Sequence, residues 1–197
     1  MSRVWLIRHA ASTAATGSAI GVTDLPLSDA GREQAKVLAA ELASRPLIRI
    51  VSSDRRRALE TASIVAVPHS GVDVESSPAL REIDFGAWEG RLLSDLWVED
   101  PAAAKAWEDD IHATPASFGE SVDDVSQRVA AFWRSMQPLP EVGELAIVGH
   151  RGSLAILRAL ITDETIPDAF AAGLALGCAI ALVALGSASE AWPRATR

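Results

Sequence analysis

Two segments far apart in the chain read almost alike. Val4-Trp5-Leu6-Ile7-Arg8-His9-Ala10-Ala11-Ser12 and Leu145-Ala146-Ile147-Val148-Gly149-His150-Arg151-Gly152-Ser153 each carry an apolar run, a histidine, small residues and a serine. Such a run predicts a buried strand, and ligands of open α/β sheets bind beyond the carboxyl ends of the strands. The pattern therefore puts His9 and His150, two of only four histidines, where chemistry is done. Arg8 precedes the first histidine, and a third strand end supplies Ser52-Ser53-Asp54-Arg55-Arg56-Arg57-Ala58. Guanidinium groups grip phosphate oxygens in pairs, and a helix start adds unpaired N–H groups at the positive end of its dipole. A fourth segment, Leu80 to Gly90, sets Glu82, Asp84 and Glu89 among Phe85 and Trp88. A carboxyl beside large apolar groups can act as a general acid near neutral pH. On local grounds Glu82 competes with Asp84 and Glu89. Of the three adjacent arginines, at most one or two can face a site, because successive residues at a helix start point different ways.

The elements that must position these groups follow from periodicity. Strands are expected at Val4–Arg8, Ile48–Ser52, Val72–Glu75, Leu145–Gly149 and Ala179–Leu185. Ser28 is a helix N-cap, followed by an apolar face of Ala35, Leu38, Ala39 and Leu42 that ends before Pro46. Further helices are expected from Arg56 to Val67, after Pro101, from Ser121 to Met136, over Leu154–Ile161, and near Phe170–Leu174. Strands alternating with helices predict an α/β sandwich with a largely parallel sheet flanked by helices.

With 197 residues, 49% apolar and 22% charged, the chain is expected to form a single domain, 1–197, with its own core. A net charge of −8 argues against a broad nucleic-acid surface, yet local arginines can still attract a small anion. The single cysteine, Cys178, excludes an internal disulfide and any cysteine-built zinc cluster, and its apolar surroundings predict a core position. No n-region and h-region precede Ile7, which predicts a cytoplasmic protein. The uncharged stretch from Ala169 to Ser189 is long enough to span a bilayer, but three glycines divide it, and a helix end plus a buried strand fits it better. His69 and His112 read as surface histidines. Trp88, Trp97 and Trp107 lie in an insert at about 86–118 expected to fold over the site. The acidic run Glu108-Asp109-Asp110 reads as a solvated helix end, and no metal site is expected.

Taken in order, Arg8-His9, Ser52-Ser53-Asp54 with Arg57-Ala58 and Thr61-Ala62, Glu82 in its Leu-Arg-Glu-Ile-Asp-Phe-Gly-Ala-Trp-Glu-Gly setting, Gly119-Glu120-Ser121 and Gly149-His150 resemble the histidine phosphatase superfamily. The resemblance runs from Val4 to about Leu185. It implies a phosphoglycerate mutase-like three-layer fold and hydrolysis of a small-molecule phosphate monoester without a cofactor or metal. It also implies roles. His9 is the nucleophile, Arg8, Arg57 and His150 hold the phosphoryl oxygens, and Glu82 is the proton donor to the leaving group. The first motif departs from the usual Arg-His-Gly-Glu/Gln-Thr, a phosphate-contacting asparagine is replaced within Ala14-Ala15-Thr16, and Arg151 stands where glycine is usual. Ser12, Ser153 and Arg151 are further candidate substrate contacts, although a serine at a helix opening is most often a cap. The spacing from His9 to Gly21-Val22-Thr23-Asp24-Leu25-Pro26-Leu27 resembles bacterial α-ribazole phosphatase-like members. The rival readings are a phosphoglycerate mutase-type transfer, a phosphatase of phosphohistidine proteins, and a non-catalytic phospho-ligand module on the same fold.

Overall fold

The computed structural model describes residues 2–110, 112 and 117–184. In chain order the elements are β1 (Ser2–Arg8), α1 (Asp29–Leu42), β2 (Leu47–Ser53), α2 (Arg56–Ala66), β3 (Val74–Ser77), α3 (Leu93–Glu99), α4 (Pro101–Asp109), α5 (Val122–Ser135), β4 (Glu144–Gly149), α6 (Arg151–Thr162), α7 (Ile166–Ala172) and β5 (Ala179–Ala184). The five strands form one sheet in the order β3-β2-β4-β1-β5. Every pairing is parallel except β5 on β1.

The alternation of side chains explains the layers. Val4, Leu6, Leu145 and Ile147 point to one face and pack with Val125, Val129 and Phe132 of α5 and with Leu154 and Leu157 of α6. Ile7, Ile50, Ala146 and Val148 point to the other face, against Leu38 and Leu42 of α1 and Ala58, Ala62 and Val65 of α2. Strands apolar on both sides need helices on both sides, which gives the three-layer architecture. Truncating a residue such as Leu6 or Ile147 to alanine would cost about 2–5 kcal/mol.

The helix starts are specified locally. Ser28 Oγ accepts the Gly31 N–H at 3.0 Å, and Ser121 forms a reciprocal capping box with Asp124. Arg55, the N-cap of α2, has no oxygen to offer, and Asp24 Oδ1 accepts the Arg56 N–H at 2.7 Å instead. Parallel register then aligns the site. Arg8 pairs with Gly149 and Ser52 with Val148, so the chain leaves β1, β2 and β4 along one sheet edge with His9, Ser53 and His150 side by side.

Several expectations need correction. β2 runs one residue further at each end, β3 begins two residues later, and α2 ends at Ala66. Leu185, expected to close β5, lies outside the described residues. Cys178 is exposed rather than in the core, because it sits in the turn entering β5, a strand with one neighbour among the described residues. His69 is buried at 8% exposure, since the turn after α2 folds back on itself through the bonds His69 N–H to Ala66 O and Val72 N–H to His69 O. The uncharged stretch resolves, as far as residue 184, into part of α7, a turn and β5. Among the described residues, no helix is long and apolar enough to cross a membrane.

Candidate active site

His9 follows β1, its N–H donating to Gly149 O at 3.0 Å. Its Nδ1 lies 2.8 Å from Ala10 O, and a carbonyl only accepts, so Nδ1 carries the hydrogen and Nε2 keeps its lone pair. Burial pushes the ring down to a pKa of about 3, the nearby charges of Arg57 and Arg8 push the same way, and the Ala10 bond opposes them. His9 is therefore a neutral imidazole at neutral pH, the form that can attack. His150 is fully buried, and its ring stands edge-on to His9 with centroids 4.9 Å apart. Its Nε2 is 2.9 Å from Ser53 Oγ, while its Nδ1 is buried with no hydrogen-bond partner among the described residues. Burial, reinforced by His9 and Arg57, also lowers its pKa well below the usual histidine value.

Of the three adjacent arginines, Arg57 turns inward. It is 1% exposed and donates to Thr23 O at 2.9 Å and to Ile20 O and Gly21 O at 3.2 Å. Arg56 is exposed, 3.7 Å from Glu60, and Arg55 is half-buried. The loop that Arg57 grips is held from its other side by Glu89, whose carboxylate accepts from Gly21 N at 3.0 Å and Thr23 N at 2.8 Å. A Cβ at Gly21 would overlap the Ile83 carbonyl, so only glycine lets the loop lie this close to the Glu82 segment. The insert buttresses the same loop through the bridge Ser18–Leu92 and a cluster of Ala19, Trp88 and Leu96. Trp107 packs edge-on against Trp88 and Phe85, whereas Trp97 is exposed, so Trp88 and Trp107 serve packing.

Arg8 donates to Leu174 O at 2.9 Å and keeps a buried Nε without a hydrogen-bond partner among the described residues. The three competing carboxylates separate clearly. Asp84 accepts from Gly86 N and Glu89 from the 21–23 loop, both committed to backbone. Glu82 alone reaches the start of α6, accepting from Gly152 N at 3.0 and 3.2 Å and from Ile83 N at 3.0 Å. Arg128, which the sequence reading missed, ties down that segment. It donates to the carbonyls of Ala79, Arg81 and Glu82 and pairs with Glu120 at 2.9 Å. Its position in the middle of α5, between Gln127 and Val129, carried no signal beyond that of a polar helix face.

The remaining candidates have local roles. Ser12 Oγ accepts from Ala14 N at 3.4 Å, and Ser153 Oγ links His150 N to Leu80 O. Arg151 is exposed and stacks on Phe170, 4.3 Å from the ring centroid. Ala10, in place of the usual glycine, is buried against Leu27 and Ala35. His112 lies 3.2 Å from Asp123, half-buried at the protein edge.

The sequence model of the histidine phosphatase superfamily (branch 1) matches residues 4–189. The chain belongs to the histidine phosphatase superfamily. It is 34% identical over 160 residues to the adenosylcobalamin/alpha-ribazole phosphatase of Salmonella typhimurium, covering 80% of this chain and 78% of that one. It is 41% identical over 176 residues to the glucosyl-3-phosphoglycerate phosphatase of Mycolicibacterium vanbaalenii, covering 81% and 73%. The crystal structure of the alpha-ribazole phosphatase from Shigella flexneri superposes with a TM-score of 0.81 at 31% identity, covering 96% of this chain and 98% of that one. The protein is thus a histidine phosphatase with the phosphoglycerate mutase-like fold, a phosphoric monoester hydrolase.

Proposed function

We propose that the protein hydrolyses a small-molecule phosphate monoester in two displacements at His9. In the first, Nε2 of His9 attacks phosphorus, an N–P bond forms, and the P–O bond to the leaving group breaks as Glu82 gives that oxygen a proton. In the second, water attacks the phosphohistidine, Glu82 takes the water's proton, the N–P bond breaks, and inorganic phosphate leaves. Splitting one hard displacement in two is the advantage of a covalent intermediate. Arg8, Arg57 and the Nδ1–H of His150 stabilise the charge on the oxygens that move, with cationic side chains supplying what a metal supplies elsewhere.

The observation that carries this reading is the Nδ1–Ala10 bond, which fixes the tautomer of a neutral, buried His9 beside a second imidazole whose Nδ1 has no partner among the described residues. A binding module needs no leaving-group acid, and Glu82 poised at the start of α6 favours catalysis.

For substrate, the α-ribazole phosphatase relatives and the Gly21–Leu27 loop support a nucleoside-type phosphate such as α-ribazole 5′-phosphate. We place the enzyme in the cytoplasm, as one domain whose insert at about 86–118 covers the active site. The test is hydrolysis of p-nitrophenyl phosphate in excess EDTA, wild type beside His9→Ala, followed by α-ribazole 5′-phosphate. Turnover lost only in the variant supports the reading; equal rates in the two proteins contradict it.

A further inference from the structure

Gly152 is the second residue of α6, and its N–H donates to both oxygens of Glu82. A Cβ built on it would stand 2.5 Å from Glu82 Oε1, and its three nearest neighbours, out to 4.0 Å, all belong to the Glu82 carboxyl group. Its backbone is ordinary helix and carries no positive φ, so no unusual conformation demands glycine here. Within a helix glycine is the poorer choice for folding, because it loses more chain entropy than alanine. The group that a side chain would displace is the far end of a flexible glutamate, which can move without unfolding anything.

We propose that Gly152 is a positioning residue for the catalytic acid: its missing side chain leaves the seat, and its N–H fixes the orientation, of the Glu82 carboxyl group. The proposal rests on Glu82 acting as the leaving-group acid. Gly152→Ala then keeps the fold and loses chemistry, because the carboxyl group is pushed off the line to the leaving oxygen.

The test compares wild type, Gly152→Ala, Glu82→Gln and the double variant on two esters. Glycerol 2-phosphate releases a poor alkoxide that needs a proton, whereas p-nitrophenyl phosphate releases a good phenolate that does not. The comparison is read on kcat/KM, which reports the first displacement and not the hydrolysis of phosphohistidine that both esters share: Glu82→Gln must first lose far more on glycerol 2-phosphate, and equal losses overturn the acid assignment and this proposal with it. Given that bias, Gly152→Ala is expected to melt no lower than wild type and to hold KM within about threefold. It is expected to lose about ten- to a hundredfold in kcat/KM on glycerol 2-phosphate, a part of what general acid catalysis contributes. Adding it to Glu82→Gln is expected to cost no more, since a residue acting through another shows no separate effect. A Gly152→Ala loss that is absent, equal on both esters, or repeated in full in the Glu82→Gln background overturns the positioning role and leaves the acid assignment standing.

Discussion

Ser53 Oγ lies 2.9 Å from Nε2 of His150, while the same oxygen faces the Arg55 N–H at 3.4 Å. A hydroxyl that accepts from the backbone still has its own hydrogen to give; with the serine donating to Nε2, the neutral ring carries its hydrogen on Nδ1. That buried Nδ1 is the atom left to donate to a phosphoryl oxygen. Ser53→Ala removes the partner that selects this tautomer. It is expected to cost about 1–2 kcal/mol, roughly tenfold in kcat/KM and in inhibition by inorganic phosphate. Steady-state kinetics with phosphate as inhibitor check it.

Arg57→Lys keeps a charge but loses the planar fork that serves the carbonyls of Ile20, Gly21 and Thr23. The loop and the phosphate grip are expected to fail together, with kcat/KM down about a hundredfold. Fluorescence of Trp88, packed under the same loop, reports the loosening.

Arg128→Ala leaves the Glu120 carboxylate without its partner and frees three carbonyls of the 79–82 segment. The expected loss of stability is about 1–3 kcal/mol, since the half-buried Glu120 carboxylate loses its charge partner and the carbonyls lose their donor. Urea unfolding measures it, and the kcat of the folded fraction is expected to fall as Glu82 loses its anchored backbone.

The pH dependence has a definite sign. His9 has a folded pKa near 3 against an ordinary 6.5, so below 6.5 the unfolded chain takes up a proton that the folded protein refuses. Stability from this group is then intact above pH 6.5 and declines as pH falls towards 3, by up to about 1.4 kcal/mol per pH unit. His150 acts in the same direction. Melting temperature against pH is expected to fall less steeply below pH 6.5 in His9→Asn than in wild type. The kcat/KM profile is expected to show no break near 6.5 from the nucleophile.

How much of this was readable from residues alone depends on the range of the interaction. The strand ends at His9 and His150 were plain, because a buried parallel strand writes itself as an unbroken apolar run. Arg57 and Glu82 needed the family register, since neighbouring arginines and carboxylates are locally equivalent. The hold of Arg128 on carbonyls 46–49 residues away, and of Glu89 on N–H groups 66–68 residues away, left no trace, because backbone groups are the same at every position. The short helix α3 was missed for a related reason: Leu96 is its one buried residue, too little to set a period. Cys178 and His69 were misplaced because burial at a turn is decided by what packs over it.

The central claim is that the phosphoryl group passes through His9. The most direct test mixes wild type with substrate, quenches within milliseconds at alkaline pH, where phosphohistidine survives, and maps the phosphorylated peptide by mass spectrometry. The account predicts one added phosphoryl group on the peptide bearing His9, and none in His9→Ala. A wild-type enzyme that turns over while its phosphate appears on another residue, or a His9→Ala protein that still accumulates the phosphopeptide, would contradict it.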